Sequence, residues 1–270
     1  MPDTKKLRNR IRSVQSTLHL THAMELVASS KIRRANAARA ASGDYAEAFR
    51  AAMGALAASE ACRRSPWMRE AGDGRTLLVV IAGDRGLAGG YNANIFRFMR
   101  DWPDAEVIPI GKRACDRYRP RDEKARVQAE NYAVEAAAEL AGELCRRFEA
   151  GEVGRVGILY TRMASMMSQV PELRWILPLQ APERAPKTDM VFEPDETAIL
   201  DAAVPAYVAG EITACVRESF ASEVAARRNA MDSAGKNARA MIDDLQLQYN
   251  RARQGAITQE ITEIVAGGNA

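Results

Sequence analysis

Residues 231–256 read MDSAGKNARAMIDDLQLQYNRARQGA. Met231, Ala234, Ala238, Met241, Leu245, Tyr249, Ala252 and Ala256 recur at spacings of three and four, the rhythm by which two helices keep an apolar seam between them. Several of these residues are small, so the partner helix can come close. A lone helix would leave the stripe in water, and the partner is expected at the other end of the chain. There Leu7, Ile11, Val14 and Leu18 start the same spacing, which as a strict apolar seam fails at Thr21 and Glu25.

Proline placement supports the pairing. All 11 prolines lie at position 2 or between Pro66 and Pro205, so residues 3–65 and 206–270 hold none. Proline costs about 3 kcal/mol inside a helix, and two Ala-rich stretches without it are read as very long helices. At 1.5 Å per residue each would run on the order of 80–90 Å. A compact chain of this length has a radius of gyration of roughly 18 Å, so such rods are expected to project. Joined through a folded middle, they would pack as an antiparallel coiled coil; a compact helical bundle is the alternative.

The middle carries a different pattern. Thr76–Ala82 (TLLVVIA), Ala105–Ile110 and Val156–Tyr160 (VGILY) are short apolar runs of buried-strand type. Between them Tyr91–Trp102 and Tyr132–Glu149 have helical spacing. Strands alternating with helices predict a parallel-type α/β sheet. Residues 180–196, with Pro182, Pro186 and Pro194, read as a linker or surface loop. The expected plan is a long helix over residues 1–62, an α/β domain with linkers over 63–204, and a second long helix over 205–270 with Gly210 near its start at a hinge.

With 270 residues, 47% of them hydrophobic, the chain can bury one large or two small cores. No run approaches the 18 apolar residues of a membrane span, and the basic start lacks an apolar signal core, so a soluble, unexported chain without a direct membrane span is expected. Cys62, Cys115, Cys145 and Cys215 are scattered, which supports neither a zinc site nor a disulfide framework. Charge is uneven: residues 1–64 hold 12 Lys and Arg against 5 Asp and Glu. Such a segment suits nucleic acid, anionic lipid or an acidic protein surface.

The Gly-rich stretch Gly83–Gly90 (GDRGLAGG) follows the first strand and precedes a helix, where a phosphate could be cradled. It lacks the Lys-Ser/Thr ending of a P-loop and the G-x-G-x-x-G order. A tight turn that needs glycine at positive φ is the favoured reading. His19 and His22 fall on the predicted rod, and no nucleophile–base or paired-carboxylate motif appears, so neither a catalytic residue, a cofactor nor a metal is expected.

Four stretches now invite comparison: Ile11–Ala35 (IRSVQSTLHLTHAMELVASSKIRRA), Gly83–Asn94 (GDRGLAGGYNAN), Met167–Pro171 (MSQVP) and Ser222–Gly267, which contains YNRARQGAITQEITEI. Together they resemble the gamma subunit of the F-type ATP synthase over nearly the whole chain. The resemblance implies long N- and C-terminal helices paired around a Rossmann-like α/β domain. It also implies a non-catalytic rotor, or central stalk, in ATP synthesis and ion transport. The partners would be the alpha and beta subunits of the catalytic head, an epsilon subunit and the membrane c-ring, in a peripheral complex on the cytoplasmic face of the energy-coupling membrane.

Carried over residue by residue, Arg253 and Gln254 match the family's contact with a catalytic-subunit loop, and Thr258 and Glu260 match polar contacts near it. Met24, Lys31 and Arg227 match residues near the acidic lever of the beta subunit, which would make the positive N-terminal charge a complement to an acidic protein. Without the resemblance these residues would read as solvated helix charges. The chain departs from the family at His19 and His22, usually Lys; at Ala88, usually Cys; at Arg228, usually Met; and at Gly235, usually Thr. These departures bear on coupling strength and direction. The alternatives are a second-copy gamma subunit of an ATP-driven ion pump and, from another class, a basic coiled coil binding nucleic acid. A chromosome-maintenance type ATPase also joins long coils to a nucleotide-binding unit, but its P-loop motor lies at the coil ends, whereas here the α/β unit interrupts the coils and has no P-loop. Co-purification with alpha and beta subunits would discriminate against it and against the nucleic-acid reading.

Overall fold

The computed structural model describes residues 2–69, 74–119, 128–181 and 192–268. Its elements are α1 (Pro2–Ala58), β1 (Thr76–Ile81), α2 (Tyr91–Phe98), β2 (Glu106–Ile110), α3 (Lys112–Tyr118), α4 (Val134–Glu149), β3 (Arg155–Met163), β4 (Gln169–Leu177) and α5 (Glu196–Gly268). Two compact units result, one of Met1–Ser29 with Arg227–Ala270 and the other of Ser30–Ala226.

In the first unit α1 and α5 run antiparallel. Arg8 Nη2 donates to the Tyr249 hydroxyl at 2.7 Å, while Leu18 and Thr21 face Gly235, so higher numbers on one helix meet lower numbers on the other. From Met231 onward the buried and half-buried positions of α5 are Met231, Asp232, Ala234, Gly235, Ala238, Ile242, Leu245, Tyr249, Ala252 and Ala256. This corrects the expected seam at one place, because Ile242 is buried and Met241 is 47% exposed. On α1 the strictly apolar seam does give way at Thr21 and Glu25, but burial does not stop there. Thr21 is buried, Glu25 half-buried and Ala28 buried, so the heptad register continues through polar and small residues.

In the second unit the sheet order is β2-β1-β3-β4. β1 pairs in parallel with β2 and β3, and β4 lies antiparallel on β3. The three expected strands are present and β4 is an addition. Alternation along the strands makes two faces. Leu77, Val79 and Ile81 join Val156, Ile158 and Tyr160 in a large core with α4, α5 and the end of α1. Leu78, Val80 and Leu159 face the other way, against Ile95 and Met99. The domain is therefore layered helix, sheet, helix.

The second long helix starts earlier than expected, at Glu196, and Pro205 lies inside it. Residues 182–191 of the expected linker lie outside the described residues. Asp195 supplies the start: its carboxylate accepts the Ala198 N–H at 2.9 Å and the Thr197 hydroxyl at 2.7 Å, an N-cap that satisfies donors the helix leaves open. Burial of Leu200, Val204 and Val208 carries the helix through the proline. Gly210 is thus not at a hinge; a Cβ there would stand 3.1 Å from the Tyr45 ring of α1. α5 also contains a window with mean hydropathy 1.4, long and apolar enough to cross a membrane by composition, and half of that window is buried. Asp201, Glu211 and Arg217 break the stretch, so no uninterrupted apolar run of that length is present in α5. The four cysteines are buried and none is in a disulfide.

Candidate functional site

Beyond Tyr249 the burial of α5 fades. Ala252 and Ala256 are half-buried, and then Ile257, Ile261 and Ile264 are exposed by 45%, 56% and 74%. Their spacing of four and three continues one helical stripe, and the rising exposure shows α5 outrunning the helix that covers it. Arg253, Gln254, Thr258 and Glu260 are all exposed on this same segment. The Thr258 hydroxyl donates to the Gln254 carbonyl at 3.0 Å and the Thr262 hydroxyl to the Thr258 carbonyl at 2.8 Å, so both threonines bond to their own helix. The segment offers a partner a guanidinium fork and an amide beside three bare isoleucines. Exposed apolar residues at helical spacing suit a docking surface better than solvent. The stripe at 257, 261 and 264 is legible in the sequence, but there it looks like more seam; only the exposure distinguishes it.

The remaining residues of the resemblance separate. Met24 and Arg227 are half-buried and belong to the first unit. Lys31 belongs to the second unit, where its ammonium pairs with the Glu130 carboxylate. It lines a cleft with Arg34, Glu130, Asn131, Arg217 and Phe220. Arg217 Nη2 donates to the Tyr132 carbonyl at 3.1 Å. Three cations against one carboxylate make the cleft basic, and an incoming acidic group would compete with Glu130 for Lys31. His22 Nδ1 lies 3.6 Å from Glu25 Oε2 with the imidazole more than half exposed.

The Gly-rich turn holds its own anion. Asp84 Oδ1 accepts the backbone N–H of Lys112 at 3.0 Å and of Ala129 at 3.1 Å, and Oδ2 accepts that of Glu130 at 2.9 Å. The amide at the start of α3, which a phosphate would seek, is thus taken by a carboxylate from the turn itself. Gly89 has φ +58° and Leu87, exposed, φ +62°, in keeping with a tight turn. Gly83 N–H donates to Asn92 Oδ1 at 2.9 Å. Ala88 is buried with Tyr91 and Ala226, where a small side chain fits. The Tyr91 hydroxyl bonds to Ser219, and burial pushes its pKa up.

The sequence matches the family described as ATP synthase over residues 3–270. It is 36% identical to an ATP synthase gamma chain of Hyphomonas neptunium over the full length of both chains. It is 38% identical to the ATP synthase gamma chain of Moorella thermoacetica, covering 100% of this chain and 99% of the relative. Among solved structures, a chain of the Euglena gracilis mitochondrial ATP synthase (OSCP/F1/c-ring) superposes with a TM-score of 0.70 at 18% identity, covering 100% of this chain and 94% of the other. A chain from the rotor of the same complex gives 0.65 at 17% identity, covering 95% and 99%.

Proposed function

Because the chain belongs to the gamma-subunit family of the ATP synthases and is a central-stalk subunit, we propose that it transmits rotation between an ion-driven membrane ring and the catalytic sites of a head of alternating alpha and beta subunits. The observation that carries the reading is the uncovered end of α5, where Ile257, Ile261 and Ile264 stand exposed beside Arg253 and Gln254. Arg253, Gln254, Thr258 and Glu260 meet the head there. Met24, Lys31 and Arg227 meet the acidic lever of the beta subunit, with Lys31 exchanging Glu130 for a partner carboxylate. The α/β domain meets epsilon and the c-ring on the cytoplasmic face of the membrane, and the chain itself crosses no bilayer.

A shaft drives catalysis by contacting equivalent sites unequally. Moving a site from 1:99 to 99:1 between open and closed takes about 5.5 kcal/mol of differential interaction. Ion flow supplies about 2.3 kcal/mol per charge per 100 mV. ATP chemistry belongs to the partners; the Gly-rich turn lacks the P-loop ending, and its Asp84 carboxylate occupies the amides of Lys112, Ala129 and Glu130 that an anion could otherwise take. Neither the nucleic-acid coil nor the second-copy pump is favoured by any observation on the chain.

Co-expression with alpha and beta subunits tests the reading. The purified chain should hydrolyse no ATP, and a stable complex of the three should do so with the chain retained through gel filtration. ATPase activity of the chain alone, or failure to hold alpha and beta, would overturn it.

A further inference from the structure

Glu211 is wholly buried on α5, and its carboxyl group is held from two other elements. Arg50 of α1 reaches its Oε1 from Nε at 3.0 Å and from Nη2 at 2.7 Å. Arg174 of β4 reaches its Oε2 from Nη1 at 3.0 Å. One carboxylate thus joins both long helices and the sheet. Further along α5, Ser222 Oγ donates to the Thr161 carbonyl at 3.0 Å, and Glu218 Oε1 accepts the Met163 N–H at 3.2 Å. At 100° per residue, positions 211, 218 and 222 fall within about 20° of one line. A polar stripe therefore runs down a helix whose remaining contacts here are largely apolar.

Stability does not account for this arrangement, because well-packed apolar residues of similar volume often replace a buried ionic triad without loss. Directionality does. Apolar burial resists separation but is less directional than a hydrogen bond. A hydrogen bond weakens steeply once bent or stretched, and a carboxylate gripped from two sides resists turning in either sense.

We propose that the Glu211–Arg50–Arg174 node, continued by Glu218 and Ser222 on β3, is the key that locks the two long helices to the α/β domain against torque. The proposal rests on the rotary reading given above. These residues position the shaft; they touch no reacting atoms.

The test uses the complete ATP synthase complex in liposomes, with ions moved per ATP hydrolysed measured against increasing opposing membrane potential. An apolar triple variant, Arg50→Met with Glu211→Leu and Arg174→Met, and a single variant, Glu211→Gln, are compared with wild type, together with assembly and melting of each. Both should assemble and hydrolyse ATP. Under opposing potential the triple variant should lose about twofold or more of its ions per ATP, and Glu211→Gln should fall between it and wild type. Wild-type yields from the triple variant at every potential would overturn the proposal. If only Glu211→Gln assembles, it decides alone, and a wild-type yield overturns. Failure of both to assemble would make the node a folding element and overturn the torsional role. A wild-type complex that hydrolyses ATP but pumps nothing would instead contradict the rotary reading.

Discussion

Gly235 and Gly111 show how differently two glycines can be constrained. A Cβ on Gly235 would lie 3.8 Å from both Leu18 Cδ1 and Thr21 Oγ1, ordinary contact distance. Glycine within a helix costs about 1 kcal/mol relative to alanine. Gly235→Ala should therefore stabilise the chain by about 0.5–1 kcal/mol in denaturant unfolding; a loss would mean that the helices cross more tightly there. Gly111 has φ +92°, and a Cβ would fall 1.9 Å from the Ala82 carbonyl oxygen. Gly111→Ala should destabilise by about 3 kcal/mol or more, read as a lowered unfolding midpoint or loss of soluble protein. Asp195 allows a pH test. The bonds from Ala198 N–H and Thr197 hold its carboxyl below its ordinary value of 3.8. A carboxyl depressed in the folded state adds stability above its unfolded pKa that is lost as pH falls through the folded one. In Asp195→Ala, amides 196–199 should exchange faster than in wild type at neutral pH, with the gap closing as pH falls below 3.8.

At the scale of elements, the long helices are legible because proline and periodicity act over many residues, while their limits are not. The Pro205 signal was outweighed by the Asp195 cap and by burial of Leu200, Val204 and Val208. The seam misplaces Met241 because Met241 and Ile242 are adjacent and both apolar, and a register shift of one residue costs the pattern nothing. β4 is hidden by alternation: Leu173 and Trp175 face one core while Arg174 reaches Glu211 of α5 and Glu172 bonds to Tyr160 and Arg162 of β3, so no long apolar run marks it. Burial pushes the Glu172 carboxyl up, but the Tyr160 hydroxyl at 2.6 Å and the guanidiniums of Arg162 and Arg174 outweigh it, and the net shift is downward. The residues proposed to meet partners were legible only by resemblance, since exposed Arg and Gln on a helix look like any solvated flank. Arg253→Ala with Gln254→Ala should leave coil melting unchanged, both residues being exposed and off the seam. Losing charge-assisted bonds of roughly 1.5–3 kcal/mol should lower assembly or turnover of the complex by about 10- to 150-fold. Reduced coil stability would instead put these residues in the seam.

For the whole molecule, the order of strands and helices already implied an α/β domain inserted between paired helices, and the family match extends over residues 3–270. What the chain does depends on partners absent from its own sequence, so the decisive measurement watches the assembled machine. A head-only complex of alpha, beta and this chain is fixed to a surface through beta, and a bead is attached through Met167→Cys. Met167 is 78% exposed at the β3–β4 hairpin, and the native cysteines of this chain are all buried, so with alpha and beta freed of accessible cysteines the label is selective. The account predicts that ATP drives sustained rotation of the bead in one sense and that rotation stops when ATP is removed. Steady ATP hydrolysis with a bead that does not turn would contradict it.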